Sequence, residues 1–264
     1  MKKEINLAGR TIFLTGNEAD PYFANIEAFF HGAPSLLHYA TRHLPQDAIC
    51  LDVGANVGLT ALLLASHCER GHVYAFEPTP ASYDFLVENL ELNAITNCTP
   101  IHAAVGDSCE PVTLFSGPAP AGNYVFADRE WCKSQHTVSV RCTTLDAFME
   151  SPECIHDRID FIKLDVEGFE PMVLDGAREL ITRQQPPILM EFNSWCLMYC
   201  HDIRLFHYAR ALWDAFLVYR VGVGGELELL GSPISFLHQN LVKHHCVDDI
   251  LVMPRPGAET PSLR

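Results

Sequence analysis

Four signatures are missing from this chain: a Cys-x-x-Cys pair, a G-x-G-x-x-G run, a G-K-[ST] tripeptide and an N/D-P-P-Y/F tetrapeptide. The first absence leaves no standard zinc or dithiol motif among the ten cysteines. The second removes the fingerprint of a dinucleotide pyrophosphate site, and the third removes a triphosphate loop. The fourth removes a clamp for a flipped base. Basic residues are scarce too, with 18 Lys and Arg against 33 Asp and Glu and a net charge of −15. Such a surface repels phosphate backbones and gives a membrane no polybasic anchor, so neither nucleic acid nor membrane is an expected partner. No apolar run is long enough to span a bilayer. The opening MKKEINLAGR has lysines but no apolar signal core behind them, so a cytoplasmic protein is expected.

What is present is enough apolar residue, 48% of 264, for a substantial core. Cys50 and Cys68 fall inside apparent core elements, and reduced, mostly buried thiols are expected. CLMYCH (196–201) with HHC (244–246) offers zinc-ligand types but no standard spacing, and no metal is expected.

From residue 48 onward strands and helices alternate. AICLDV (48–53), HVYAFEP (72–78), TPIHAAVGD (99–107), IDFIKLDV (159–166) and PILMEF (187–192) read as strands. LTALLLASHC (59–68), ASYDFLVENLELNA (81–94) and PMVLDGARELITR (171–183) read as helices between them. That alternation predicts βαβ units and an α/β fold with a mostly parallel sheet. VTLFSG (112–117) and TVSVRCTTL (137–145), linked by GPAPAGN, alternate at period two and predict a β-hairpin-like insertion. Thr144 is placed to cap the short helix LDAFME. LMYCHDIRLFHYARALWDAF predicts a long helix, LVYRVG and DDILVMP two last strands, and PISFLHQNL a short helix between them. AGRTIFLTGN predicts an N-terminal hairpin, and residues 25–44 a helix broken at Gly32–Pro34. The expected layout is an extension over 1–47 (a cap, lid or edge), one domain over 48–254, and a frayed tail over 255–264.

DVGANVG joins the first strand to the first helix. Gly54 and Gly58 allow a tight turn, but Asn56 stands where a pyrophosphate needs glycine. A bent loop that crowds phosphate suits S-adenosylmethionine, whose amino-acid end can meet backbone N–H groups and polar side chains there. Glu77, ending the next strand, is spaced to accept from both ribose hydroxyls. Pro78 follows and stops the strand. Asp107, ending the third, is placed to accept from the adenine amine. Asp52 can serve the loop or brace it.

FIKLDVEGFEPMVLDGA (161–177) is the second cluster. Lys163 and Asp165 share a strand face, with Asp165 at the C-terminal edge where open α/β sheets bind ligands. Glu167 follows. Glu170, before Pro171, reads as a helix-start carboxylate favoured by the dipole, and Lys163 as a partner for a carboxylate.

DVGANVG, AFEP, TTLDAF, DFIKLDVEGFEPMVLDGA and PPILMEF, in that order over residues 48–193, resemble the FkbM-type family of S-adenosylmethionine-dependent methyltransferases. The resemblance implies a Rossmann-like class I methyltransferase fold, with a seven-stranded, mostly parallel sheet and helices on both faces. It also implies O-methylation of a hydroxyl on a sugar or natural product. Carried over by motif, Asp52, Gly54, Asn56, Gly58 and Glu77 line the cofactor pocket, with Ala55 and Pro78 beside them. Asp165, Glu167 and Glu191 lie on the acceptor side.

Methyl transfer to a hydroxyl needs the acceptor oxygen held in line with the donor and a base for its proton. Asp165 is nominated first, Glu167 second and Glu191 third. Histidine is the other candidate type, but His31, His102 and His201 have no assigned place in the pocket. Magnesium held by Asp165 and Glu167 ranks below a metal-free reaction. The rival functions are a nicotinamide-dependent oxidoreductase and a non-catalytic S-adenosylmethionine-binding module. Expected partners are a small-molecule or glycan-like hydroxyl acceptor and, for the chain itself, a homodimer.

Overall fold

Strands buried on both faces need helices on both, and the chain supplies them. In a computed structural model, residues 1–7, 10–27, 35–116, 123–125, 136–222 and 224–255 are described. The N-terminal elements are β1 (Lys2–Leu7), β2 (Arg10–Thr15), α1 (Pro21–Ala24) and α2 (Ser35–His43). The first half of the main sheet follows with β3 (Ile49–Val53), α3 (Leu59–His67), β4 (His72–Phe76), α4 (Pro80–Leu92) and β5 (Cys98–Ile101). Then come β6 (Ala104–Val105), β7 (Val112–Ser116), β8 (Asn123–Val125), β9 (His136–Val140), β10 (Cys142–Thr143) and α5 (Leu145–Met149). The second half holds β11 (Phe161–Leu164), α6 (Glu170–Asp175), α7 (Arg178–Gln184), β12 (Ile188–Asn193) and a π-helical turn, Cys196–Cys200. It closes with α8 (Leu205–Ala215), β13 (Phe216–Val221), β14 (Leu227–Leu229), α9 (Pro233–Val242) and β15 (Val247–Pro254).

The main sheet runs β14-β13-β15-β12-β11-β3-β4-β5. β3, β4, β5, β11 and β12 are parallel, and β15 enters antiparallel between β12 and β13. This is the expected Rossmann-like order of seven strands, with β14 added as an eighth through a hairpin to β13. The winding reverses between β3 and β11, so the loops leaving these two strands open onto one crevice. Side chains alternate across the sheet. Leu51, Tyr74, Ile162 and Met190 face the core under α5 to α9. Cys50, Ala75, Phe161 and Leu189 face α2, α3 and α4.

The N-terminal residues belong to this second face. Ile5, Ile12, Leu14, Phe23, Ile26 and Tyr39 are buried in the same cluster as α3. β1 pairs with β2 over six positions, so the hairpin starts earlier than AGRTIFLTGN implies, and its turn lies outside the described residues. The expected helix break at 32–34 also lies outside them, as does the tail beyond 255. Among the described residues no helix is long and apolar enough to cross a membrane. No disulfide joins any of the nine described cysteines.

Four expectations need correction. The strand expected over 99–107 is two strands: β5 stays in the main sheet, while β6 pairs in parallel with β10. His102 turns outward between them and stacks on Tyr83 with ring centroids 4.5 Å apart. The insertion is three-stranded, ordered β8-β7-β9, rather than a simple hairpin. The helix expected over 171–183 breaks at Gly176, where a Cβ would sit 2.0 Å from the Gly106 carbonyl oxygen. Asp146 then caps the second piece by accepting from Glu179 N and Leu180 N. The long helix after β12 is likewise divided by Asp202, in the left-handed region at φ 59°. Thr144 caps α5 as expected, accepting from Ala147 N at 2.9 Å.

Candidate active site at the strand ends

The loop after β3 folds back across β4. Gly54 N and Ala55 N both donate to the Phe76 carbonyl, at 3.0 and 2.9 Å. Gly54, Asn56 and Gly58 take φ values of 81°, 50° and 92°. Glycine adopts this region freely and asparagine tolerates it. At Gly54 there is also no room: a Cβ would lie 1.8 Å from the Asp165 carbonyl oxygen. The first glycine therefore lets the loops after β3 and β11 touch.

Glu77 latches this loop. Its Oε2 accepts from Asn56 N at 2.9 Å and its Oε1 from Thr79 N at 2.8 Å. Burial raises its pKa, against the pull of those backbone donors. Each oxygen keeps a further lone pair for a ligand hydroxyl. Pro78 follows it, with its carbonyl 3.2 Å from His102 Nε2. Asp107 is exposed two residues beyond β6. It thus belongs to the pair that left the main sheet and does not end β5, because the chain crosses to β10 after His102.

Asp52 has no exposed surface. Its Oδ2 accepts from Thr60 Oγ1 at 2.6 Å, and its Oδ1 lies 3.5 Å from Lys163 Nζ. It sits beneath the loop as a brace. Lys163 does more than pair with one carboxylate. Its Nζ donates to the Gly54 carbonyl at 3.0 Å and lies 3.5 Å from Asp165 Oδ2 as well. Burial opposes its charge, but Asp165 and Asp52 hold it firmly protonated. The N-terminal segment adds Tyr22, whose hydroxyl is pushed up to about 12 by burial, with Asp165 and Asp52 adding to the rise and Lys163 opposing it. No local sequence pattern marks Tyr22, because its role comes only from where α1 packs.

Asp165, Glu167 and Glu191 converge at the ends of β11 and β12. The Asp165 side chain is 41% exposed, the accessible member of the group. Glu167 is in the left-handed region at φ 54°. Its Oε2 accepts from Cys196 Sγ at 3.4 Å, and burial together with Asp165 raises it to about 8. Glu191 is pushed well above the usual carboxylate range by burial and by Asp165, Glu167, Glu170 and Asp249. Glu170 is fully buried, and its Oε1 accepts from Val166 N and Gly168 N. It braces the 165–168 loop, a structural role in keeping with its position at a helix start. Among the described residues no group of three or more His, Cys, Asp or Glu is placed to hold a metal ion, the 196–201 and 244–246 clusters included.

A Rossmann-like sheet whose crevice gathers carboxylates around a glycine-bent loop defines a class of nucleoside-cofactor proteins without a phosphate site. Residues 52–211, more than half of the chain, match the methyltransferase FkbM domain, and the chain belongs to that family. It is 28% identical over 167 residues to the methyltransferase sdnD of Sordaria araneosa, covering 53% of this chain and 64% of that one. It is 25% identical over 145 residues to the hexuronic acid methyltransferase AglP of Haloferax volcanii, covering 55% and 56%. The chain thus spans about three fifths of the length of these curated relatives. A solved FkbM methyltransferase from Methylobacillus flagellatus KT superposes with a TM-score of 0.44 at 16% identity, covering 91% of this chain and 56% of that one.

Proposed function

We propose that this chain transfers the methyl group of S-adenosylmethionine to a hydroxyl of a sugar or natural-product-like small molecule. The observation that carries this reading is the charge imbalance in the crevice. Asp165, Glu167 and Glu191 crowd one strand edge, and burial, with the neighbouring carboxylates adding to it, drives Glu167 and Glu191 toward protonation. Lys163 is already bound to Asp52 and Asp165. Such a site fits a cationic sulfonium and ammonium and repels the pyrophosphate of a nicotinamide cofactor. Asn56 adds a side chain where pyrophosphate would need open backbone.

The residues present suit that cofactor. Glu77 would accept from the ribose hydroxyls, and the Gly54–Gly58 loop would meet the amino-acid end. When bound, S-adenosylmethionine supplies an electrophilic methyl on a sulfur that leaves as a neutral thioether, so no acid is required of the protein. Asp165 orients the acceptor hydroxyl and takes its proton as the new bond forms. Lys163 holds Asp165 against the donor loop, fixing the distance between the two halves of the site. Glu167 and Glu191 stand behind Asp165 as second and third candidates for the base. The name of the Haloferax volcanii relative supports a sugar-like acceptor.

The test is transfer of a labelled methyl group across a panel of sugars, glycosides and natural-product hydroxyls. Asp165→Asn is expected to lose turnover by roughly a hundredfold or more, while cofactor affinity falls only several-fold through the lost charge. Wild-type turnover in that variant removes Asp165 as base. Calorimetry showing NAD binding without S-adenosylmethionine binding overturns the reading as a whole.

A further inference from the structure

Trp195 and Tyr199 keep 40% and 55% of their surface in solvent, although both are large aromatic side chains. They stack on one another with centroids 5.5 Å apart and planes 27° apart. They flank the start and the fourth position of the π-helical turn Cys196–Cys200, which leaves β12 at the edge where the carboxylates converge. With just over four residues per turn, positions four apart lie on one face, here the outer one. Leu197 points into the core. Cys196 and Cys200 are buried between these two directions, on the side of Glu167, to which Cys196 Sγ donates. The aromatic face therefore borders the Glu167 side of the site.

The turn is fastened to that site from both ends. Asn193 Nδ2 donates to Glu191 Oε2 at 3.2 Å, while Asn193 Oδ1 accepts from Cys196 N at 3.1 Å. Ser194 hydrogen-bonds Asn240 on α9. Gly168 packs so tightly on the turn that a Cβ would meet Cys196 and His201 at 2.8 Å. The aromatic pair, the 165–168 loop and Glu191 are thus linked through this turn, and π-helical turns concentrate at functional sites.

We propose that Trp195 and Tyr199 are the platform on which the acceptor stacks, and that the acceptor is a neutral pyranoside ring. This inference rests on the methyltransferase reading. A pyranoside offers a C–H face to the negative faces of the aromatic rings. Its hydroxyls are donors for Asp165 and Glu167. An anionic ring, such as the hexuronic acid in the name of the Haloferax volcanii relative, would meet the Asp165 carboxylate and be repelled here.

Saturation-transfer NMR tests it on the intact chain in the presence of S-adenosylhomocysteine. The probes are methyl glucopyranoside, methyl mannopyranoside and methyl galactopyranoside, with methyl glucuronoside and phenol as contrasts. At least one neutral glycoside is expected to receive saturation at its ring C–H protons. Trp195→Ala and Tyr199→Ala should each weaken that binding roughly fivefold or more, and Trp195→Phe much less. Calorimetric affinity for S-adenosylmethionine should be the same in all variants. Neutral glycosides that fail to bind, or that bind equally to both alanine variants, overturn the platform. So does binding confined to phenol or to the uronoside. Failure of the wild-type chain to bind S-adenosylmethionine overturns the methyltransferase reading instead, and this inference with it.

Discussion

Single carboxylates at these strand ends have different work, set by what surrounds them. Glu77 is a latch as well as a candidate ribose acceptor, since it holds the backbone of Asn56 and Thr79. Glu77→Ala should therefore weaken S-adenosylmethionine binding by more than about tenfold. Near-unchanged affinity in calorimetry would take Glu77 out of the site. Glu170 titrates for a structural reason. Burial lifts it to about 7 from an ordinary 4.5, although it accepts backbone hydrogen bonds. Its Oε2 is buried without a hydrogen-bond partner. A carboxyl raised on folding contributes stability that is fully present below about pH 4.5 and is lost as pH rises through about 7. The size is on the order of 3 kcal/mol. Glu170→Gln keeps the accepting oxygen and removes the charge. In melts between about pH 5 and pH 8 its midpoint should gain on wild type as pH rises. A constant difference across that range would show that folding does not raise the Glu170 pKa.

Between elements, asparagines on α4 do what a neighbouring strand would otherwise do for the N-terminal hairpin. Asn93 exchanges hydrogen bonds with the backbone of Phe13. Asn89, fully buried, accepts from Thr15 N and Thr15 Oγ1 and donates to the carbonyls of Thr15 and Val57. One side chain thus ties the hairpin to the loop proposed to meet the cofactor. Asn89→Ala should cost about 3 kcal/mol, because it leaves buried backbone groups unpaired. It should also speed hydrogen exchange at the Thr15 amide, and unchanged protection there would refute the tie. None of this is legible in ASYDFLVENLELNA, where Asn89 reads as an ordinary helical polar residue. The helix itself is legible, because its apolar residues recur at helical spacing. The elements that went astray share one cause. IHAAVGD is apolar enough to be buried but does not say which strand it pairs with, and it divides between β5 and β6. Gly176 breaks its helix where it packs on the Gly106 carbonyl, and Asp202 divides its helix by a left-handed backbone, features that periodicity cannot report.

For the molecule as a whole, most of the sheet order and the facing loops follow from the alternation of strands and helices, because βαβ connection rules leave few topologies. The positions of Glu77 and Asp165 follow from strand ends. Tyr22, by contrast, lies in the field of the Lys163–Asp165 pair although more than a hundred residues separate them, and Lys163 binds both loops at once, arrangements that no short motif encodes. Charge is the property that spans these scales. The chain carries −15 overall, and its candidate site concentrates that sign at one edge. S-adenosylmethionine carries a sulfonium that S-adenosylhomocysteine lacks, so only the former should feel this field strongly. Its affinity should fall several-fold between about 50 and 500 mM salt, and that of S-adenosylhomocysteine much less. A second readout is local. With Glu167 near 8, part of the carboxylate group is protonated at neutral pH. A cation bound beside it lowers those pKa values and releases protons. Calorimetry near pH 7.5 in buffers of different ionisation enthalpy should show that release for S-adenosylmethionine and little for S-adenosylhomocysteine. Equal salt dependence and equal proton release for the two ligands would mean that the sulfonium does not sit among these carboxylates.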